Sequence, residues 1–135
     1  MIINVDFDGV LVPNHIEHSL IEMVSIYDYT IEDKTSNLWD WYDKVVHSTL
    51  LPLNIPLLKW LSELREDGHI IRLWTNRNYT NKKPTLDNLG EWVGIFDKAT
   101  FYSGYKIDEQ VEGIVIDNNP KYLSCGSQGG LLVKY

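Results

Sequence analysis

The chain begins with a short apolar stretch that ends in two carboxylates one residue apart. Ile2, Ile3 and Val5 are β-branched, which favours a buried strand, and this strand runs into Asp6-Phe7-Asp8-Gly9. Like charges at close range repel each other, so a fold accepts such a pair most readily where a cation or a reaction requires it. An acidic turn in which Gly9 supplies a positive φ explains the same residues. The rest of the chain has to decide between the two.

Length and composition predict one globular domain, residues 1–135. A hydrophobic content of 44% argues against disorder, and a net charge of −7 disfavours a nucleic-acid-binding surface, which is normally basic. The apolar runs are too short to span a bilayer and the N-terminus has no signal-like region, so we expect no membrane partner. The single cysteine, Cys125, excludes an intramolecular disulfide and a cysteine metal cage. These features together predict a cytoplasmic protein.

Segments of strand and helix character alternate along the chain. Strands are predicted at 69–75, 98–102, 113–117 and 131–134, and helices at 16–28, 38–50, 57–66, 85–92 and 120–123. Gly68 is expected to end the helix before it, Pro84 to open the next one and Gly94 to close it. Such an alternation predicts an α/β fold, a three-layer sandwich with a central, mostly parallel, Rossmann-like sheet.

Polar residues follow several of these strands at the point where each one ends. Right-handed crossovers place the carboxyl ends of parallel strands at one edge of the sheet, where open α/β sheets bind their ligands. The polar residues at three strand ends, and in the loop before the 113–117 strand, are Asp6, Asp8, Thr75, Asn76, Lys106, Asp117 and Asn118. So many matches, in order along the chain, favour a functional site over an acidic turn.

In these motifs the chain resembles the haloacid dehalogenase (HAD) superfamily of phosphatases and phosphotransferases. Its first motif, an apolar strand followed by Asp-x-Asp-Gly-(Thr/Val), is similar to Val5–Val10, and its second, a strand ending in Thr, is similar to Leu73–Thr75. Its third motif is a single lysine, and its fourth is an apolar strand ending in acids, like Ile114–Asp117. The interval between Lys106 and Asp117 resembles the layout of the 5′(3′)-deoxyribonucleotidase branch.

The resemblance implies a phosphatase that acts through an aspartyl-phosphate. Asp6 would attack the phosphorus, while Asp8 would protonate the leaving oxygen and then deprotonate the hydrolytic water. Thr75 would hydrogen-bond a phosphoryl oxygen, and Lys106 would balance the charge of the transferring group. Lys98 is the rival for the lysine role. We favour Lys106 because Lys98 lies near the start of a strand, at the opposite edge of the sheet.

The resemblance also implies Mg²⁺ as a cofactor. Its protein ligands would be the Asp6 carboxylate, the Asp8 backbone carbonyl and Asp117, which are the hard oxygen donors that this ion prefers. Many members of the family carry a second acid where this chain has Asn118. The amide keeps an oxygen ligand, or a hydrogen bond to a ligand, but removes a charge that would strengthen metal binding.

Three further residues would meet the phosphate of the substrate. Gly9 would let backbone amides face it, and Asn76 and Arg77 form a common continuation of the second motif in this family. The expected partner is therefore a small phosphorylated substrate.

The resemblance does not cover residues 14–52, which fall where this family inserts the cap that selects substrates. Their length predicts a small helical insert, well short of a full cap domain, which leaves the site open or lets a second subunit close it. Trp39, Trp41 and Tyr42 lie in its second predicted helix, where packing explains them better than stacking on a base. We expect a monomer or a homodimer.

The leading expectation is a Mg²⁺-dependent phosphatase of a small phosphomonoester, with a nucleotide as the first guess. A polynucleotide end phosphatase stays open as an alternative, although the charge of −7 disfavours it. A catalytically weak HAD-like binding module is a second alternative, which Asn118 favours and the presence of Asp6 and Asp8 disfavours. A response-regulator-like receiver is disfavoured because the third strand ends in Thr100–Ser103, with no phospho-accepting Asp.

Overall fold

The computed structural model describes residues 1–13, 50–102 and 109–134. Strands and α-helices in these ranges are β1 (Ile2–Val5), α1 (Ile55–Glu66), β2 (Ile70–Thr75), α2 (Lys82–Leu89), β3 (Lys98–Phe101), β4 (Ile114–Asp117), α3 (Pro120–Leu123) and β5 (Gly130–Leu132). Two 3₁₀ helices, Tyr79–Asn81 and Gly90–Ile95, flank α2. Among the helices in this part of the chain, none has the length and apolar character needed to cross a bilayer.

Most of the predicted insert lies outside the described residues. Its first helix, its aromatic residues Trp39, Trp41 and Tyr42, and the candidate lysine Lys106 fall in the ranges 14–49 and 103–108. Leu50, where its second helix was expected to end, is not helical and is exposed. The small helical insert therefore stays a prediction.

The five strands pair in parallel to form one sheet, in the order β3-β2-β1-β4-β5. This confirms the predicted α/β class and the parallel sheet. The chain adds β2 and β3 on one side of β1 and then crosses to add β4 and β5 on the other side. The strand order therefore reverses at β1, and such a reversal opens a crevice at the carboxyl ends of the strands. The residue that follows β1 is Asp6.

Alternate residues of each strand face opposite sides of the sheet, and each side has its own apolar core. On one side, strand residues pack with α1 and α2, and the buried members include Val5, Leu58, Leu61, Leu73, Leu89 and Ile116. On the other side the buried members are Trp74, Val115, Tyr122 of α3 and Cys125. The sheet thus has helical cover on both faces, two full helices on one and a single turn on the other.

Helix α1 has clear signals at both of its ends. The Asn54 side chain caps it by accepting a hydrogen bond from the Leu57 N–H at 3.2 Å, and Pro56 occupies the first turn, where the missing N–H of proline costs no intrahelical hydrogen bond. Gly68 follows the C-cap with φ 97°, which confirms its predicted role in ending this helix. The helix begins at Ile55, two residues before the predicted start at Leu57, because the Asn54 cap and Pro56 favour a start at this point.

The predicted bounds of α2 were wrong. The helix begins at Lys82, so Pro84 lies inside its first turn rather than opening it, and the first turn tolerates proline because those N–H groups have no intrahelical partner. It ends at Gly90, whose φ of 57° lies in the left-handed region, and not at Gly94. The chain then continues as a 3₁₀ helix to Ile95.

Candidate functional site

Asp6 lies at the carboxyl end of β1, at the point where the strand order reverses. Its N–H donates to the Ile116 carbonyl at 3.0 Å, so the ladder between β1 and β4 continues one step past the end of β1. Val5 pairs with Ile116 in this register, which brings Asp6 opposite Asp117, the last residue of β4. Both residues have the parity that faces the Trp74 side of the sheet. Two carboxylates therefore lie on adjacent parallel strands, about 4.8 Å apart at the backbone.

Both of these acids are withdrawn from water. Asp6 is 8% exposed and Asp117 is fully buried. The Asp117 Oδ1 atom accepts a hydrogen bond from the Asn119 N–H at 2.9 Å, while the Asn119 side chain caps α3 by accepting from the Lys121 N–H. Burying two neighbouring carboxylates is costly unless positive charge compensates them. A buried pair of this kind therefore calls for positive charge close by.

Asp8 has a different environment from that of Asp6. Its two carboxylate oxygens accept hydrogen bonds from Arg77, from Nε at 2.9 Å and from Nη2 at 2.7 Å, which makes a two-pronged ion pair. The Arg77 side chain is completely buried, and its guanidinium carbon lies 4.3 Å from the centroid of the Phe7 ring. The structure thus fixes the orientation of the Asp8 carboxylate and places Arg77 behind it, whereas the sequence predicted Arg77 as a phosphate contact.

Two threonines hold Arg77, one through its guanidinium and one through its backbone N–H. Its Nη1 donates to the Thr85 hydroxyl at 3.1 Å, and that hydroxyl donates to the Asn81 carbonyl at 2.7 Å. The Arg77 backbone N–H donates to the Thr75 hydroxyl at 3.1 Å, and Thr75 is 1% exposed. Thr75 therefore stands at the predicted strand end, with its hydroxyl oxygen already accepting one hydrogen bond. Sequence reasoning missed Thr85, because a threonine in the first turn of a helix is an ordinary capping pattern.

Gly9 and Asn118 are packed against each other. Gly9 has φ 78°, and a Cβ atom there would lie 2.6 Å from the Asn118 Cγ atom. With its amide oriented to suit these neighbours, Asn118 donates from Nδ2 to Asp117 Oδ1 at 3.1 Å and to the Asp8 carbonyl at 3.2 Å. Asn118 thus ties together Asp8 and Asp117, two of the three expected metal ligands, and Gly9 makes the room for it.

Asn76, predicted as a phosphate contact, is hydrogen-bonded to a residue on the aromatic side of the sheet. Its Nδ2 donates to the Tyr122 hydroxyl at 2.9 Å. The Tyr122 ring packs edge-on against Trp74, whose Nε1 donates to the Tyr102 hydroxyl at 2.8 Å. The tyrosines were missed by sequence reasoning, since nothing in their spacing connects them to the strand ends.

Of the two candidate lysines, the structure describes Lys98 and not Lys106. Lys98 is the exposed first residue of β3, at the amino end of the sheet, which is the location that the sequence predicted for it. Lys106 lies outside the described residues.

The donor set at this edge suits Mg²⁺. Within residues 1–13, 50–102 and 109–134, no three His, Cys, Asp or Glu side chains form a metal-ligating cluster. The Asp8 side chain is paired with Arg77, and Asp6 and Asp117 are the carboxylates that face each other at this edge in the described part of the chain. Mg²⁺ commonly takes only one or two carboxylates and completes its octahedron with other oxygens and water. The Asp8 carbonyl supplies one more oxygen in the expected set.

Comparisons with known proteins add no relative to this description. A scan against models of known protein families found no match, and a search of curated proteins found no similar chain.

Proposed function

We propose that the protein is a Mg²⁺-dependent phosphatase of the HAD type, acting on a small phosphomonoester through an aspartyl-phosphate. The observation that carries this proposal is the position of Asp6. It is a buried carboxylate at the point where the strand order reverses, opposite the buried Asp117. The motif resemblance of the sequence supports the same assignment. A nucleotide is the first candidate substrate.

In the first half of the reaction Asp6 is the nucleophile. One of its carboxylate oxygens forms a bond to phosphorus while the bond from phosphorus to the ester oxygen breaks. Asp8 gives a proton to the departing oxygen, which leaves as an alcohol. Thr75 is at the right strand end to hydrogen-bond a phosphoryl oxygen, and Lys106 is the expected charge-balancing group.

In the second half a water molecule attacks the phosphorus. Asp8, now ionised, accepts a proton from that water, and the bond between phosphorus and the Asp6 oxygen breaks to release inorganic phosphate. Arg77 gives the Asp8 carboxylate a fixed position for this proton acceptance, since two hydrogen bonds define its plane and its direction.

Mg²⁺ would be held by the Asp6 carboxylate, the Asp8 carbonyl and the Asp117 carboxylate. When bound, it supplies the positive charge that lets a carboxylate approach a phosphate dianion. Asn118 helps to keep two of these ligands together through its contacts with the Asp8 carbonyl and with Asp117.

The test is hydrolysis of an aryl phosphate by the purified chain. We expect turnover with Mg²⁺, its loss when EDTA is added, and its loss in the Asp6→Asn variant. The matched control is Asp67→Asn, an exposed aspartate after α1, which should keep full activity. Turnover that survives Asp6→Asn would exclude Asp6 as the nucleophile. Phosphate binding without turnover by the unaltered chain would favour the binding module instead.

A further inference from the structure

The outer surface of the segment that follows Arg77 carries an open groove of about 590 Å³. Its lining residues come from the 3₁₀ helix after β2 and from α2, and they are Tyr79, Thr80, Lys82, Lys83, Leu86 and Asp87. The groove is separate from the contacts of Asp6, Asp8 and Asp117 described above.

An aromatic ring is the main feature of the groove. Tyr79 is 64% exposed, although it belongs to an ordered 3₁₀ helix whose Asn78 cap accepts a hydrogen bond from the Thr80 N–H at 3.0 Å. Leu86 adds an apolar surface to the lining. An accessible ring of this kind offers a face on which a flat ligand stacks.

The charge of the groove differs in sign from that of the chain. Its charged side chains are two lysines and one aspartate, a net charge of +1, whereas the whole chain carries −7. Lys83 is paired with Asp87 at 2.7 Å, and this hydrogen-bonded ion pair raises the pKa of Lys83. The Lys82 ammonium lies 5.5 Å from the centroid of the Tyr79 ring. The groove therefore offers a ring and a cation side by side.

The groove and the candidate site share one wall. Arg77, which holds Asp8, precedes Tyr79 by two residues, and Thr85, which holds Arg77, lies in α2 between groove residues Lys83 and Leu86. One face of this segment supports the Asp8 carboxylate, and the other lines the groove. A ligand in the groove is thus next to the segment that fixes the proposed proton carrier.

We propose that this groove binds a nucleotide, with the base stacked on Tyr79 and the negative charge of the nucleotide near Lys82. A flat aromatic ring joined to an anionic group is the chemistry that an exposed tyrosine beside a lysine recognises. Both the base and the phosphate of the nucleotide are assigned to the groove, so this site is distinct from the edge formed by Asp6 and Asp117 and does not depend on the proposed function.

The test is a binding titration, so that it does not depend on turnover. The full chain carrying Asp6→Asn is titrated calorimetrically with adenosine 5′-monophosphate and, separately, with inorganic phosphate. Adding Tyr79→Ala should lower the affinity for the nucleotide by about 5- to 30-fold, as expected for the loss of one stacked base. The affinity for inorganic phosphate should stay unchanged. Tyr79→Phe should restore the nucleotide affinity. Lys82→Ala should lower the affinity for the nucleotide by about 2- to 5-fold, as expected for the loss of an exposed ionic contact.

The matched control is Lys121→Ala, because the Lys121 ammonium also lies over a tyrosine ring, 5.1 Å from the centroid of Tyr122. We expect it to leave the nucleotide affinity unchanged. A dinucleotide with a 5′-phosphate separates two sources of the ligand: tighter binding than the mononucleotide indicates the end of a polynucleotide, and equal or weaker binding indicates a free nucleotide.

Two results would overturn the groove proposal. One is a nucleotide affinity that Tyr79→Ala leaves unchanged, because the ring would then contribute nothing to binding. The other is an equal loss of nucleotide and phosphate affinity, which would place the effect of Tyr79 in the phosphate site. The proposed function is tested by a separate measurement: it fails if the unaltered chain does not hydrolyse the aryl phosphate.

Discussion

Arg77 and Asp8 form a two-pronged ion pair, with nitrogen–oxygen distances of 2.9 and 2.7 Å. The guanidinium carbon of Arg77 also lies 4.3 Å from the centroid of the Phe7 ring. The Arg77 side chain is fully buried and the Asp8 side chain is 22% exposed. A charge buried in this way is stable only while its partner is present. The pair therefore links the stability of the fold to the geometry of the candidate site.

Replacing Arg77 by methionine should destabilise the protein by about 2–4 kcal/mol, because it leaves the Asp8 carboxylate largely buried without its cation. Urea unfolding measures this change. The matched control is Arg65→Met, since Arg65 pairs with Asp97 at 3.3 Å with both side chains about 40% exposed, and its loss should cost less than about 1 kcal/mol. Equal losses in the two variants would contradict a special role for the buried pair.

The same substitution has a second expected effect, on turnover. If Arg77 orients Asp8, Arg77→Met should lower kcat for aryl phosphate by about 10- to 100-fold, the scale of a misplaced catalytic group, with a smaller change in KM. The Arg77→Lys variant keeps the charge but loses the fork of donors, so it should recover only part of the rate. Full activity in Arg77→Met would show that Asp8 needs no such support.

Gly9→Ala should be more damaging than the same change at another glycine of positive φ. Gly68 has φ 97° with open space around it, so Gly68→Ala pays only the backbone strain, about 1–2 kcal/mol. At Gly9 the new Cβ would also overlap the Asn118 amide, which should add about 1–3 kcal/mol. Thermal unfolding compares the two variants.

The overlap at Gly9 has its own test. Adding Asn118→Ala to Gly9→Ala removes the amide that the new methyl group meets, so the extra cost should largely disappear in the double variant. Strictly additive effects of the two substitutions would mean that Gly9 is required by its φ alone.

Mg²⁺ should raise the unfolding temperature of the unaltered chain. An ion present at about 100 times its dissociation constant stabilises the folded state by about 2.7 kcal/mol. Asp117→Asn should abolish this stabilisation, because it removes one of the two buried carboxylates of the edge. Asp97→Asn is the control that should keep it. A Mg²⁺ effect of the same size in Asp117→Asn would exclude Asp117 as a ligand.

Asn88 is expected to be a stability residue that has no part in the chemistry. Its side chain accepts from the Leu51 N–H at 2.6 Å and donates to the Leu51 carbonyl at 2.9 Å, all within the core. Asn88→Ala should therefore cost about 2–3 kcal/mol, since it leaves two buried backbone groups without their partners. Asn78→Ala, at an exposed cap, should cost less than about 1 kcal/mol. Urea unfolding of both variants decides the matter.

The order of strands and helices was predictable because its signals are local. Runs of apolar residues and the glycine after α1 act over a few residues and need no knowledge of the rest of the chain. The same local pattern located Asp6, Thr75 and Asp117 at strand ends. Where the prediction of α2 was wrong, a proline that is tolerated anywhere in a first turn had been taken as the marker of its first residue.

The hydrogen-bond partners of Arg77 and Asn88 could not be predicted from local signals. Arg77 pairs with Asp8 across 69 positions of sequence, and Asn88 binds Leu51 across 37, so no spacing rule connects them. The sequence of the first strand already contained the two acids, but it could not say that they would have separate environments. Packing decided that: Asp6 shares its strand edge with Asp117, while the buried guanidinium of Arg77 draws the Asp8 carboxylate to itself, because a charge removed from water must be met by another.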